Sequence, residues 1–191
     1  DITATEIEPI VGSSDPNFRP SDLEIGGDGA MYISDWHNVL IGHMQHNMRD
    51  PNRDHKHGRI YRVTYAGRPL LTPAKMKGQP ILNVCKHFFA QENGTRYRAR
   101  LELSGRETEK VVARVTDFAA GLNPRNAMPE RDEGQALLEC LWVFEEQRVP
   151  NIDLLKKVFQ AAEPRVRAAA IRTLGHWAGK VADWEPTLIA A

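Results

Sequence analysis

Little in this sequence could staple it together: of 191 residues only two are cysteine, Cys85 and Cys140. No CxxC, CxxCH or Cys/His ligand spacing surrounds either one, which excludes a disulfide scaffold, a zinc ribbon and a c-type haem attachment within this stretch. Two buried structural thiols are the plain reading, and a single bridge between them stays open. The chain also lacks net charge, with 25 Lys+Arg against 25 Asp+Glu. That balance argues against a nucleic-acid-binding or membrane-surface protein. No apolar run approaches the roughly 18 residues a spanning helix needs. No nucleophile elbow, phosphate loop or dinucleotide fingerprint occurs, and Gly26-Gly27-Asp28-Gly29 precedes no helix. The first residue is Asp1, with no apolar stretch after a basic start, so a trimmed or partial chain is expected.

What is present divides by period. With 41% hydrophobic and 26% charged residues the chain can bury a core in one domain or two small ones. Over residues 1–72, alternation predicts strands. Leu23 and Ile25 alternate with Asp22 and Glu24, the glycine turn follows, and 30–35 completes a hairpin. Residues 59–65 read as a third strand with one face buried, and Ile7 to Val11 as a fourth, outer one. Over 79–191 the period becomes helical. Helices are expected near 81–89, after Asn93, over 107–120, 130–147, 152–161 and 164–178, and from Trp184 onward. Thr95 to Leu101 resembles Pro164 to Ala170 at an offset of 69, with Gly134 to Trp142 between them. That spacing predicts HEAT-like helical repeats. The fold class expected is α+β.

Five of the seven histidines fall between His37 and His57, in a connection far longer than a hairpin needs. Such an insertion with Trp, Leu, Ile and Met is expected to pack and to have a function of its own. Imidazoles at His43, His46, His55 and His57 suit proton transfer or metal ligation, since they titrate near neutrality, but they also suit structural hydrogen bonding. His43 and His46 are the leading candidates for proton transfer. Asp50, Asn52 and Asp54 have a D-x-N-x-D spacing that gathers oxygen ligands for calcium, without the glycine and closing glutamate of a complete loop. The competing reading is a turn salt-bridged by Arg49 and Arg53. Arg49, Arg53 and Arg59 can clamp an anionic cofactor or substrate in bidentate fashion, or pair internally with Asp50 and Asp54. Trp36 can stack on a flat ligand or plug a core.

The run from Ser14 to Asp22, then Asp28 to Ile33, Asp35 to Asn38, Gly42 to His46, Arg49 to Asp54 and His57 to Arg62 closely resembles the last propeller blade of the large bacterial membrane-bound dehydrogenase family. The likeness extends over residues 12 to 178 and is strongest in the first third. It implies a last β-propeller blade with a long His-rich loop at 1–72, then HEAT-like repeats at 79–191. It also implies an exported, periplasmic bacterial oxidoreductase that acts on a sugar or alcohol-like substrate. Pyrroloquinoline quinone and calcium are the implied cofactors, and the implied partners are the remaining blades and a c-type haem domain of the same protein. Arg49 and Arg53 are then cofactor-holding, with Asp50, Asn52 and Asp54 at the metal. One blade cannot close a ring of at least four, so the chain by itself is expected to be incomplete for catalysis. The alternative is a scaffold or a carbohydrate- or protein-binding module in which the loop is a latch.

Overall fold

A computed structural model describes residues 4–39, 50–181 and 184–189. The chain divides into two compact units, Asp1–Pro73 and Ala74–Ala191.

The first unit is a three-stranded antiparallel sheet in the order β1 (Pro20–Ile25), β2 (Met31–Asp35), β3 (Arg59–Val63). Four residues turn the chain between β1 and β2. Gly29, at φ +75°, takes the left-handed step that a side chain resists, and its N–H donates to the Gly26 carbonyl at 2.9 Å. Asp28 locks the turn by accepting from the Ala30 N–H at 3.1 Å and the Tyr32 hydroxyl at 2.9 Å, and it pairs with Arg62. The register sets Leu23 opposite Ile33 opposite Tyr61, and Ile25 opposite Met31 opposite Val63, so these six share one face. Phe18 packs edge-on against Tyr61, with ring centres 5.7 Å apart.

That face is only half covered. Ile33 is buried, whereas Leu23 is 57% exposed and the whole of β1 is open. The third strand differs from its expected burial: Arg59, Tyr61 and Val63 are half-buried and Ile60 is 76% exposed, because Ile60 lies on the polar face with Arg62. The expected outer strand at Ile7 to Val11 does not form; these residues are irregular and mostly exposed, with no strand partner.

The second unit is helical. A short α1 (Ile81–Cys85) runs into a 3-10 turn at Lys86–Phe89, followed by α2 (Asn93–Ser104) and α3 (Thr108–Ala120). A minimal hairpin of β4 (Ala127–Met128) and β5 (Arg131–Asp132) precedes α4 (Glu133–Glu146), α5 (Ile152–Val158), α6 (Pro164–Trp177) and α7 (Trp184–Ile189). The caps explain the boundaries. Asp132 accepts from the Gln135 N–H at 2.8 Å, so α4 starts three residues later than its period suggests. Asn151 caps α5 through the Leu154 N–H at 2.9 Å, and Glu163 with Pro164 opens α6.

Ten residues of α4 are buried, since α2, α3, α5 and α6 all pack against it. Gly134 permits this: a Cβ there would stand 3.0 Å from the Pro124 carbonyl oxygen. A continuous apolar core runs from Met76 to Trp177. Cys85 and Cys140 are free and buried within it, so the open bridge is not made. Burial pushes the Cys85 thiol up to about 12 and that of Cys140 well above its ordinary value.

The internal likeness is real in contacts, but at an offset of 71 rather than 69. Arg96 donates to the carbonyls of Ala90 and Gln91 at 2.6 and 2.8 Å, and Arg167 to those of Ala161 and Ala162 at 2.7 and 3.0 Å. Val84 and Leu155, Phe88 and Phe159, Ala99 and Ala170, and Leu103 and Leu174 are then equivalent buried pairs. The helix-capping residues Glu92 and Glu163 fix this register, whereas the arginine text alone slips by two.

Candidate functional site

The site grows from the end of β2. Asp35 is buried, and its carboxylate accepts from the Arg19 N–H, the His37 N–H and Arg59 Nε, each at 2.8 Å. Burial pushes its pKa up, but the His37 and Arg19 N–H groups and the Arg59 guanidinium outweigh it and hold the group below its ordinary value. Arg59 also grips Asp15, so its internal partners are Asp15 and Asp35 rather than Asp50 and Asp54. Those bonds pin the two flanks of the insertion and force His37 to φ 53°.

Trp36 follows. It is not a core plug: the residue is 41% exposed, and the Arg53 guanidinium stands 4.4 Å from its ring centre. Asp50 accepts from the Asn52 N–H at 2.8 Å, and the Arg53 N–H closes the turn on the Asp50 carbonyl at 3.1 Å. Asp54 forms a second such turn through the N–H groups of Lys56 at 2.9 Å and His57 at 3.2 Å. Its other oxygen lies 2.6 Å from His57 Nδ1 and 3.7 Å from His37 Nε2. The Lys56 N–H and the His57 ring hold the Asp54 carboxyl down at about 2. In that arrangement His57 Nδ1 carries the proton and donates, which leaves Nε2 as the basic nitrogen of a side chain that is 73% exposed.

His43, His46 and Arg49 lie outside the described residues. Of the remaining predicted positions, Asp54 and Arg53 come together with Trp36, His37 and His57. The salt-bridged turn expected of Arg53 is replaced by a cation-aromatic stack, because His57, three residues on, takes the Asp54 oxygen that Arg53 would need. Calcium does not fit the described residues. One oxygen each of Asp50 and Asp54 faces backbone N–H groups, and no group of three or more His, Cys, Asp or Glu among the described residues can hold a metal ion. Among the described residues the buried N–H donors Arg19 Nε, Arg53 Nε and Arg59 Nη2 have no partner, nor does the buried ring nitrogen His37 Nδ1, and such atoms ordinarily have one.

The pairing of His57 with Asp54 has a local signal, Asp-x-x-His across a turn. His37 has none, because only the backbone reversal at the end of β2 brings it within reach.

Among the described residues no helix is long and apolar enough to cross a membrane. No curated protein and no solved structure matches the chain. Residues 3–67 match the model of a family described as a domain of unknown function, DUF7133, and the similarity thus falls on the sheet and its insertion.

Proposed function

We propose that this chain is part of an exported, periplasmic bacterial oxidoreductase of the quinoprotein sugar or alcohol dehydrogenase kind. In this reading the sheet unit is the last blade of its propeller, the helical unit a HEAT-like stack, and the insertion one wall of the substrate and cofactor mouth. The observation that carries the reading is that, among the described residues, buried guanidinium N–H groups of Arg19, Arg53 and Arg59 and the ring nitrogen His37 Nδ1 lack partners, in the unit that also holds the exposed His57–Asp54 pair. Donors without acceptors cost about 1–3 kcal/mol each unless a ligand or water meets them. A quinone with carbonyl and carboxylate oxygens meets them in kind. Arg53 on Trp36 is the residue to hold such a planar group, joined from the sequence by Arg49.

Pyrroloquinoline quinone, when bound, supplies a two-electron acceptor. The chain's own part is proton handling: His57 Nε2 takes the hydroxyl proton of the alcohol, and Asp54 steadies the imidazolium that results. His43 and His46 are the further candidates from sequence. Onward transfer goes to a c-type haem domain elsewhere in the full protein.

Dye reduction by the quinone-reconstituted full-length protein tests this. His57→Ala and Asp54→Asn are expected to lower kcat by about 100-fold, and His43→Ala and His46→Ala separate the two histidine groups. Arg53→Ala is expected to weaken quinone binding more than turnover. Full turnover in both His57→Ala and Asp54→Asn sinks the proposal. The exposed Trp36 favours a second reading, a carbohydrate-binding module without turnover, in which sugar binds and no dye is reduced.

A further inference from the structure

Between residues 74–77 and the outer side of α2 lies an open groove of about 600 Å³. Its wall is built rather than incidental. Met76 turns into the core, and Arg106 donates to the Gln79 carbonyl at 2.6 Å and the Met76 carbonyl at 3.4 Å, tying this stretch to the end of α2. Glu102, the acidic residue of the groove, is neutralised by Arg106 at 2.7 Å. Lys75 and Lys77 flank Met76 and both point to solvent. Neither makes an ion pair or hydrogen bond among the described residues. Arg98 lines the groove too; its Nη2 donates to Thr95 Oγ1 at 2.9 Å, and it makes no ion pair among the described residues. Among these charges Leu101 is 48% exposed.

Three cations without counter-ions around one uncovered leucine are complementary to carboxylates placed either side of an apolar group. The geometry points to this groove as a docking site for an extended acidic peptide segment of the Glu-Leu-Glu kind, supplied by a partner protein. In an extended chain, residues two apart project to the same side about 6.6–6.8 Å apart. Lys75 and Lys77, either side of an inward-facing Met76, both face outward and offer two cations to such a pair, Lys77 from the turn that the Gln79 N–H closes on the Met76 carbonyl at 3.0 Å. The two carboxylates meet the lysines, and the side chain between them turns the other way, onto Leu101 on the opposite wall. Arg98 extends the charge match by one residue. A duplex nucleic acid needs a broad basic face, and three cations around one leucine, in a chain of 25 cations and 25 anions, do not present one.

The test is fluorescence anisotropy of the intact chain with a short labelled peptide containing Glu-Leu-Glu, beside its Gln-Leu-Gln and Glu-Ser-Glu versions. The Glu-Leu-Glu peptide is expected to bind about 10-fold more tightly than the Gln version, with affinity falling as salt rises. Lys75→Glu with Lys77→Glu is expected to abolish that preference and leave the helical melt unchanged, since both side chains are exposed. Leu101→Ser, a second and independent variant, is expected to erase the preference over Glu-Ser-Glu. Absence of binding at millimolar peptide, equal binding of the Glu and Gln versions, or undiminished binding by the double variant overturns the proposal. Tighter binding of a short DNA duplex that is lost in the same variant overturns it in favour of a nucleic acid.

Discussion

The two units solve the problem of holding a shape in opposite ways. In the helical unit the interior is a continuous apolar cluster around α4, with Val84, Phe88, Leu137, Leu141, Phe144 and Leu155 closed to solvent. Among the described residues of the sheet unit the buried ones are Ala30, Ile33, Asp35 and Asn38, half of them polar, while Leu23 and Ile25 stay open. One unit is stabilised by area removed from water, which is non-directional. The other leans on charge-assisted hydrogen bonds, which are directional and set the angle at which side chains leave the sheet. A unit of the second kind is the better carrier of a reactive constellation, and the His57–Asp54 pair is found there.

The contrast breaks most sharply at Phe144. Phe144→Ala removes a fully buried ring from the centre of the helical core and is expected to cost about 4 kcal/mol. Circular dichroism at 222 nm should show the helical melt collapse, while hydrogen exchange in β1, β2 and β3 keeps its protection. Asp35→Ala is the reciprocal change. It strips the acceptor from Arg19, His37 and Arg59 together and is expected to cost about 3 kcal/mol, confined to the sheet unit. Exchange should rise around residues 19, 37 and 59 with the helical melt unchanged, and a loss shared by both units would dissolve the distinction.

Acid sharpens it further. Arg59 holds Asp15 down from 3.8 to about 2; the Ala30 N–H and then Arg62 do the same for Asp28, as the Lys56 N–H and His57 do for Asp54. Depressed carboxylates add stability that is complete above an ordinary pKa of 3.8 and is lost as pH falls toward about 2. In the helical unit Glu133 follows the same rule, but burial raises Glu146, so that protonating it relieves the fold. The sheet is therefore expected to open before the helices between pH 4 and 2, as residue-resolved exchange will read; simultaneous opening contradicts the assignment.

The helices were legible because their period agrees with their caps: those expected from 152 and 164 start where Asn151 and Glu163 accept backbone N–H groups, although Asn151 was expected only as part of the break after 147. The hairpin before α4 was not, since strands of two residues leave no alternation to read. Ile7 to Val11 misled through the opposite fault, apolar residues with a strand's composition and no neighbour to pair with. Of the site, Asp54 and His57 are close enough in sequence to meet across a turn, but Asp54 was expected with an arginine or a metal and His57 with the other imidazoles. Arg59 meets Asp15 and Asp35 across separations of 44 and 24 residues, which no local pattern records. Three strands, a hairpin and helices are established; blade and repeat are readings of them.

Asp35 has one more consequence. The insertion leaves the sheet at His37 and returns at Arg59, and both ends are fastened to that single carboxylate. The loop is thus closed at its base by the same group that ends the strand. Doubling such a loop adds only about 0.6 kcal/mol of closure entropy. The sheet is in effect a socket: one buried carboxylate grips the chain on both sides of the insertion, at His37 and at Arg59.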